Sequence, residues 1–139
     1  MSKFLSPLLR FTRRENGAVA IEFVLLAPLL FGLLFGIIFV GYAMALSHSV
    51  QQLATASARA SVAGITTQER TEIYDAYIEE ASSNYPLLRQ EAIADTPTIT
   101  ASDIRVEISY AVDGSLLDLA SGIIGMELTH LAGSAYVAY

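Results

Sequence analysis

The sequence predicts an α+β protein in which a long N-terminal transmembrane helix extends into a small extracytoplasmic domain with a second helix and a short antiparallel sheet. Three observations predict it. Residues 23–46 form a run of 24 positions without a charge. The charges on the two sides of that run have opposite balance. Beyond residue 103 the hydrophobic period changes from helical to alternating.

The apolar run comes first because it dominates the composition, which is 53% hydrophobic and 16% charged over 139 residues. At about 1.5 Å per residue, such a run crosses a hydrocarbon core of roughly 30 Å as a tilted helix. No later segment is long enough to do so. Ahead of it, Lys3, Arg10, Arg13 and Arg14 stand against Glu15, a balance of +3, which marks residues 1–17 as a cytoplasmic basic leader and sets topology. After it, Arg59, Arg70, Arg89 and Arg105 stand against twelve acidic residues, a balance of −8, so residues 47–139 are expected outside the cytoplasm. The acidic domain lacks the clustered Lys and Arg that a nucleic-acid face needs.

The helix is expected to continue from residue 18 to about residue 64. "SHSVQQLATASARASVAG" is rich in helix formers, and Gly64 is placed to cap its end. Val50, Leu53, Ala54, Ser57, Ala58 and Val62 share one face, a shallow stripe suited to a sheet or a neighbouring helix. Thr66 and Glu69 form a capping-box pattern ahead of Ile73, Tyr74, Tyr77, Ile78 and Ala81 at helical spacing, which predicts the second helix. Pro86 interrupts it, and "ADTPTITASD" is expected as a loop or short extended stretch. Ile104, Val106, Ile108, Tyr110 and Val112 alternate with more polar residues, the pattern of a half-buried strand. "DGSLLDLASGIIG" is expected as a connection and "MELTHLAGSAYVAY" as a second strand, with one sheet face on the long helix because a lone hairpin is marginal in water.

Several classes of chemistry lack their residues. There is no cysteine, hence no disulfide and no thiolate metal site. His48 and His130 lie in different elements without acidic partners at ligand spacing, and no metal or other cofactor is expected. Ser47, His48 and Ser49 include nucleophile and base types, but adjacent positions on a helix do not face each other and no orienting acid is evident. No enzymatic activity is expected.

Processing of the leader has two candidate sites. "AMA" at residues 43–45 imitates a secretory cleavage site, yet the apolar run is far longer than the 7–15 residues of a signal core and argues for an anchor. The other site lies on the near side. "NGAVAIEF" resembles the Gly-x-x-x-x-Glu-aromatic processing motif of Flp-type pilins and of the related TadE and TadF pseudopilins of tight-adherence systems. That resemblance implies a cut by a prepilin peptidase between Gly17 and Ala18, with Glu22 as the fifth mature residue and Phe23 at the aromatic position. "EFVLLAPLLFGLLFGIIFVG", with Pro28, Gly32 and Gly36, and the following "ATASARASVAG" are similar to the TadE-like helix and its Ala- and Arg-rich continuation. Phe39 stands where that family often has a second acidic residue, so no role needing a second carboxylate carries over.

The resemblance, with a domain of about ninety residues after the helix, implies a TadE- or TadF-like minor pilin taking part in assembly of a Tad/Flp-type pilus. Residues 18–46 are then the single span of a bacterial inner-membrane protein, with the C-terminal domain periplasmic and an extracellular pilus as the assembled state. Implied partners are the prepilin peptidase, other Tad pilins and pseudopilins, membrane lipids, and inner-membrane assembly proteins with their cytoplasmic ATPase. After cleavage the Ala18 amine lies one helical turn from Glu22, and the two can neutralise each other or pair between subunits. The alternatives are an interfacial Glu22 snorkelling to headgroups, and a single-span adhesion module that never enters a pilus.

Overall fold

The computed structural model describes residues 15–125 and 128–139. Lys3, Arg10, Arg13 and Arg14, the expected topology signal, lie outside the described residues, as do Met126 and Glu127 at the start of the expected last strand. The elements in chain order are α1 (Glu15–Ser61), α2 (Thr67–Glu79), α3 (Ala81–Asn84), β1 (Ile93–Ile99), β2 (Asp103–Ala111), α4 (Leu116–Ile124) and β3 (His130–Ala138). Packing divides the chain into two units, Met1–Ile38 and Phe39–Tyr139.

In the first unit the described chain is helix throughout, with Pro28 inside it. Pro28 has no N–H to donate to the preceding turn, a loss that apolar helices tolerate when neighbouring groups adjust. The large apolar side chains, including Phe23, Leu29, Phe31, Phe35 and Ile37, are exposed. An 18-residue window of this helix reaches a mean hydropathy of 2.8, and none of that window is buried. A helix apolar all round and covered by nothing is suited to hydrocarbon.

The second unit is built on the C-terminal part of α1. Val50, Leu53, Ala54, Ser57 and Ala58 are fully buried, so the shallow stripe belongs to the domain interior. Ser57 and Ser61 remain satisfied there by donating to the carbonyls of Ala54 and Ser57, at 3.1 and 2.8 Å. The sheet is antiparallel with order β1-β2-β3. Its central strand buries Ile104, Val106, Ile108 and Tyr110, and Val112 just beyond it is buried too, as the alternation requires. β3 approaches α1 at Gly133, where an added Cβ would lie 2.9 Å from the Val50 carbonyl oxygen. Glycine permits this helix–strand contact because it has no side chain to displace the backbone.

α2 begins with the expected capping box: Thr66 Oγ1 accepts from the Glu69 N–H and the Glu69 carboxylate accepts from the Thr66 N–H, both at 3.2 Å. Tyr74 and Ile78 are buried from this helix, and α3 closes before Tyr85, which is outside the helical region at φ −127° and ψ 85° as the residue preceding Pro86 must be. The Tyr74 hydroxyl donates to Asp95 Oδ2 at 2.9 Å. Burial, reinforced by Asp95, pushes the Tyr74 phenol well above its ordinary range, and burial with Tyr77 pushes Tyr85 up to about 12. The fold thus favours the neutral phenols: their contribution is complete below the unfolded value of about 10 and is lost as pH rises through the folded values. Tyr74→Phe should cost about 1 kcal/mol at pH 7, because Asp95 is exposed and water replaces the lost donor. Chemical denaturation of the two proteins at pH 7 and above pH 10 checks this; equal stability at pH 7 would remove the hydrogen bond from the account.

Two expectations need correction, and a third, the loop or short extended stretch around Pro97, resolves to its extended alternative. The stretch expected as a connection before the last strand contains α4, capped by Ser115 Oγ, which accepts from the N–H groups of Leu117 and Asp118, and closed by Gly125 in the left-handed region at φ 74°. The stretch around Pro97 is mostly strand β1, so the sheet has three strands; Pro97 is tolerated because β1 is an edge. Finally, α1 ends at Ser61 and Gly64 is no left-handed cap. Gly64 is needed for space, since a Cβ there would lie 2.7 Å from the Arg70 nitrogen.

Candidate functional site

The candidate site occupies the first turns of α1. Gly17 and Ala18 lie inside the helix, which begins at Glu15, so the bond between them is helical. A peptidase that binds its substrate extended must therefore unwind the first turn, and Gly17 lowers the cost because glycine is the poorest helix former after proline. Gly17 is exposed, with nothing within 4 Å of the place a Cβ would occupy.

Glu22 follows Ala18 by four residues, so the two share a helix face. Its side chain is exposed and, among the described residues, has no ion-pair or hydrogen-bond partner. Around it, Val19, Ile21, Phe23 and Val24 are exposed as well. A lone carboxylate on an apolar helix is costly in lipid unless paired or close to the interface. Among the described residues the structure brings Glu22 to no cation.

The other polar residues considered in the sequence are spread along α1. The His48 ring nitrogen Nε2 lies 2.8 Å from Gln52 Nε2, and Ser49 donates to the Ala45 carbonyl at 2.9 Å. Ser47 is half-buried beside an apolar groove lined by Phe39, Val40, Ala43 and Met44. His130 is exposed on β3. Ser47, His48 and Ser49 are thus held in separate local contacts, and among the described residues no group of His, Asp and Glu is arranged to hold a metal.

One contact had no forewarning in the sequence. The Gln51 side chain accepts from the Ser134 N–H at 3.2 Å and donates to the Ser134 carbonyl at 2.8 Å, closing one position of the outer edge of β3. A glutamine on an exposed helix face carries no signal of such a task. Gly133, adjacent to it, did carry one, since glycine inside a strand often marks a close backbone approach.

Residues 17–59 match the model of the family described as TadE-like protein. The chain carries a TadE-like segment. The match begins at Gly17 and ends at Arg59, so it lies wholly within α1 and takes in both the exposed apolar part and the buried stripe. Such a segment suggests a Tad pilus-associated protein with a helix able to span a membrane. No curated protein and no solved structure matches the chain.

Proposed function

We propose that this TadE-like chain is a minor pilin, a non-catalytic structural component in assembly of a Tad/Flp-type pilus used for surface adherence. The observation that carries the reading is the coincidence of the TadE-like match with an apolar stretch of α1, residues 19–38, exposed at every position but Ala27, whose one carboxylate stands four residues after Ala18. In this reading residues 1–17 remain cytoplasmic and are removed, the membrane segment lies within residues 18–46, of which Phe39–Leu46 already belong to the second unit, and residues 47–139 form the rest of the periplasmic domain. The Glu22 carboxylate then neutralises the Ala18 amine, within one subunit or between neighbours, and Phe23 packs beside the pair.

The direct test is the N-terminus of membrane-extracted protein. With the matching prepilin peptidase present, the mature chain should begin at Ala18, shown by N-terminal sequencing and by intact mass. Gly17→Leu should abolish the cut, because a bulky residue replaces the one whose missing side chain the motif relies on. An intact Met1 start in a strain that makes functional pili would reject processing and favour an anchored adhesion module.

A further inference from the structure

α4 is short, and its sequence is apolar on two sides. Leu117 and Ser121 face the core. Leu116, Leu119 and Ile123, one helical face by their spacing, are 63%, 66% and 87% exposed. Asp118 is the one charged residue of the helix, and its carboxylate is occupied by the Gly114 N–H at 3.0 Å. Among the described residues nothing covers the Leu116–Leu119–Ile123 face.

The position of α4 in the second unit indicates what covers it. α1 runs along the sheet from one end to the other. At one end Arg70 stacks on the Tyr139 ring at 3.9 Å and bonds the Gly64 carbonyl, and the Tyr139 hydroxyl bonds the Thr100 carbonyl. At the opposite end Ala132 of β3 lies in the groove formed by Phe39, Ala43 and Met44, and Val112 bonds the Thr129 carbonyl. Arg89 donates to the Asp113 carbonyl there. Gly114 and the Ser115 cap follow directly. α4 therefore connects the two strand ends, Ala111 and His130, at the end of the sheet whose Ala132 lies against Phe39, Ala43 and Met44.

We propose that α4 is an interfacial membrane-docking helix, which sets Leu116, Leu119 and Ile123 into the headgroup–acyl boundary of the bilayer that α1 crosses. This rests on the membrane-spanning reading of α1. At the end of the sheet from which α4 departs, Ala132 shares a groove with Phe39, Val40 and Met44, and these residues follow the span directly in the chain. Apolar insertion drives the docking, since α4 has no Lys or Arg and the region after the span has a balance of −8. Neutral lipid suffices, and anionic lipid adds nothing.

The chain has no tryptophan, so single Trp substitutions report without background. Full-length protein carrying Leu119→Trp, Phe31→Trp or Ala101→Trp is reconstituted into phosphatidylcholine bilayers, with and without phosphatidylglycerol. A phosphatidylcholine brominated near the headgroup end of its chains serves as quencher for Leu119→Trp and Ala101→Trp, and one brominated deep in the chains for Phe31→Trp. Leu119→Trp should show blue-shifted emission and lose most of it to the shallow quencher, equally in both lipid mixtures. Ala101→Trp, in the exposed turn at the other end of the sheet, should keep its emission. Unquenched Leu119→Trp beside quenched Phe31→Trp overturns the docking helix and leaves the span standing. If neither is quenched, the span fails and the inference falls with it. Protection of Leu119→Trp from aqueous acrylamide without quenching by bromolipid also overturns it, and assigns the face to a protein.

Discussion

Ile108→Asp is expected to unfold the second unit. Ile108 is 1% exposed at the centre of β2, with Asp95 of β1 as its partner on one side and Gly133 of β3 on the other. The substitution removes a buried aliphatic side chain, worth about 2–5 kcal/mol, and leaves a carboxylate unpaired in the core at a cost of several more. Asp95 makes matters worse, since like charges directly opposite across a ladder repel. Gly133 offers no side chain that could turn towards the new charge, and its backbone is already against Val50. Together these exceed much of the 5–15 kcal/mol that holds a typical domain. The neighbouring Glu107→Ala, on the exposed face, should change stability by no more than about 0.5 kcal/mol. Limited proteolysis of both full-length variants distinguishes them. Survival of a protected fragment containing residues 104–139 in Ile108→Asp would show that the sheet is not what holds the unit together.

The second large effect concerns assembly. Glu22→Ala should leave membrane insertion intact, because the uncharged run of residues 23–46 and the positive leader already provide for it. The substitution also removes a charge that costs up to about 3 kcal/mol at a helix centre and less near the interface. Incorporation into pili is what should fall. If the mature amine loses its counter-ion in an apolar packing environment, a cost of a few kcal/mol lowers incorporation by tenfold or more, at about 1.4 kcal/mol per factor of ten. Glu22→Gln keeps the shape and removes the charge, so it should fail as Glu22→Ala does, with cleavage still detectable in both. Normal incorporation of both variants would reject charge pairing and leave α1 as a plain anchor.

How far these effects could be foreseen depends on which residues carried a period. β2 was legible because one face is wholly buried and the other is not, so residues 104–112 alternate almost without exception. The buried stripe from Val50 to Ala58 was legible by helical spacing, and Thr66 with Glu69 by capping chemistry. α4 was obscured because Leu117 faces inwards while Leu116 and Leu119 face outwards, which erases the amphipathic contrast a nine-residue helix needs. β1 was obscured by Pro97 and by its edge position, where three successive residues, Ala94, Asp95 and Thr96, are all exposed. At the candidate site, Gly17, Ala18, Glu22 and Phe23 were named by the resemblance of "NGAVAIEF" to a processing motif, a signal that does not depend on the fold. The described residues place no cation beside Glu22, so the fold does not display the partner that the pairing proposal assigns to it.

The bond pair between Gln51 and Ser134 bears on how the protein survives crowding. In the β2–β3 ladder the bonds of Val112 to Thr129 and of Tyr139 to Ser102 place odd-numbered positions of β3 towards β2, so the even-numbered ones present their backbone groups outwards. β3 is nine residues long and holds no Asp, Glu, Lys, Arg or Pro, which would otherwise deter a second strand from adding to it. Gln51 occupies the middle outward position. The open template is thereby cut into two short stubs, His130 with Ala132 and Tyr136 with Ala138, neither long enough to seed a ladder. A single amide on a helix thus acts as a stopper against sheet-to-sheet growth, and it does so without placing a charge on the strand.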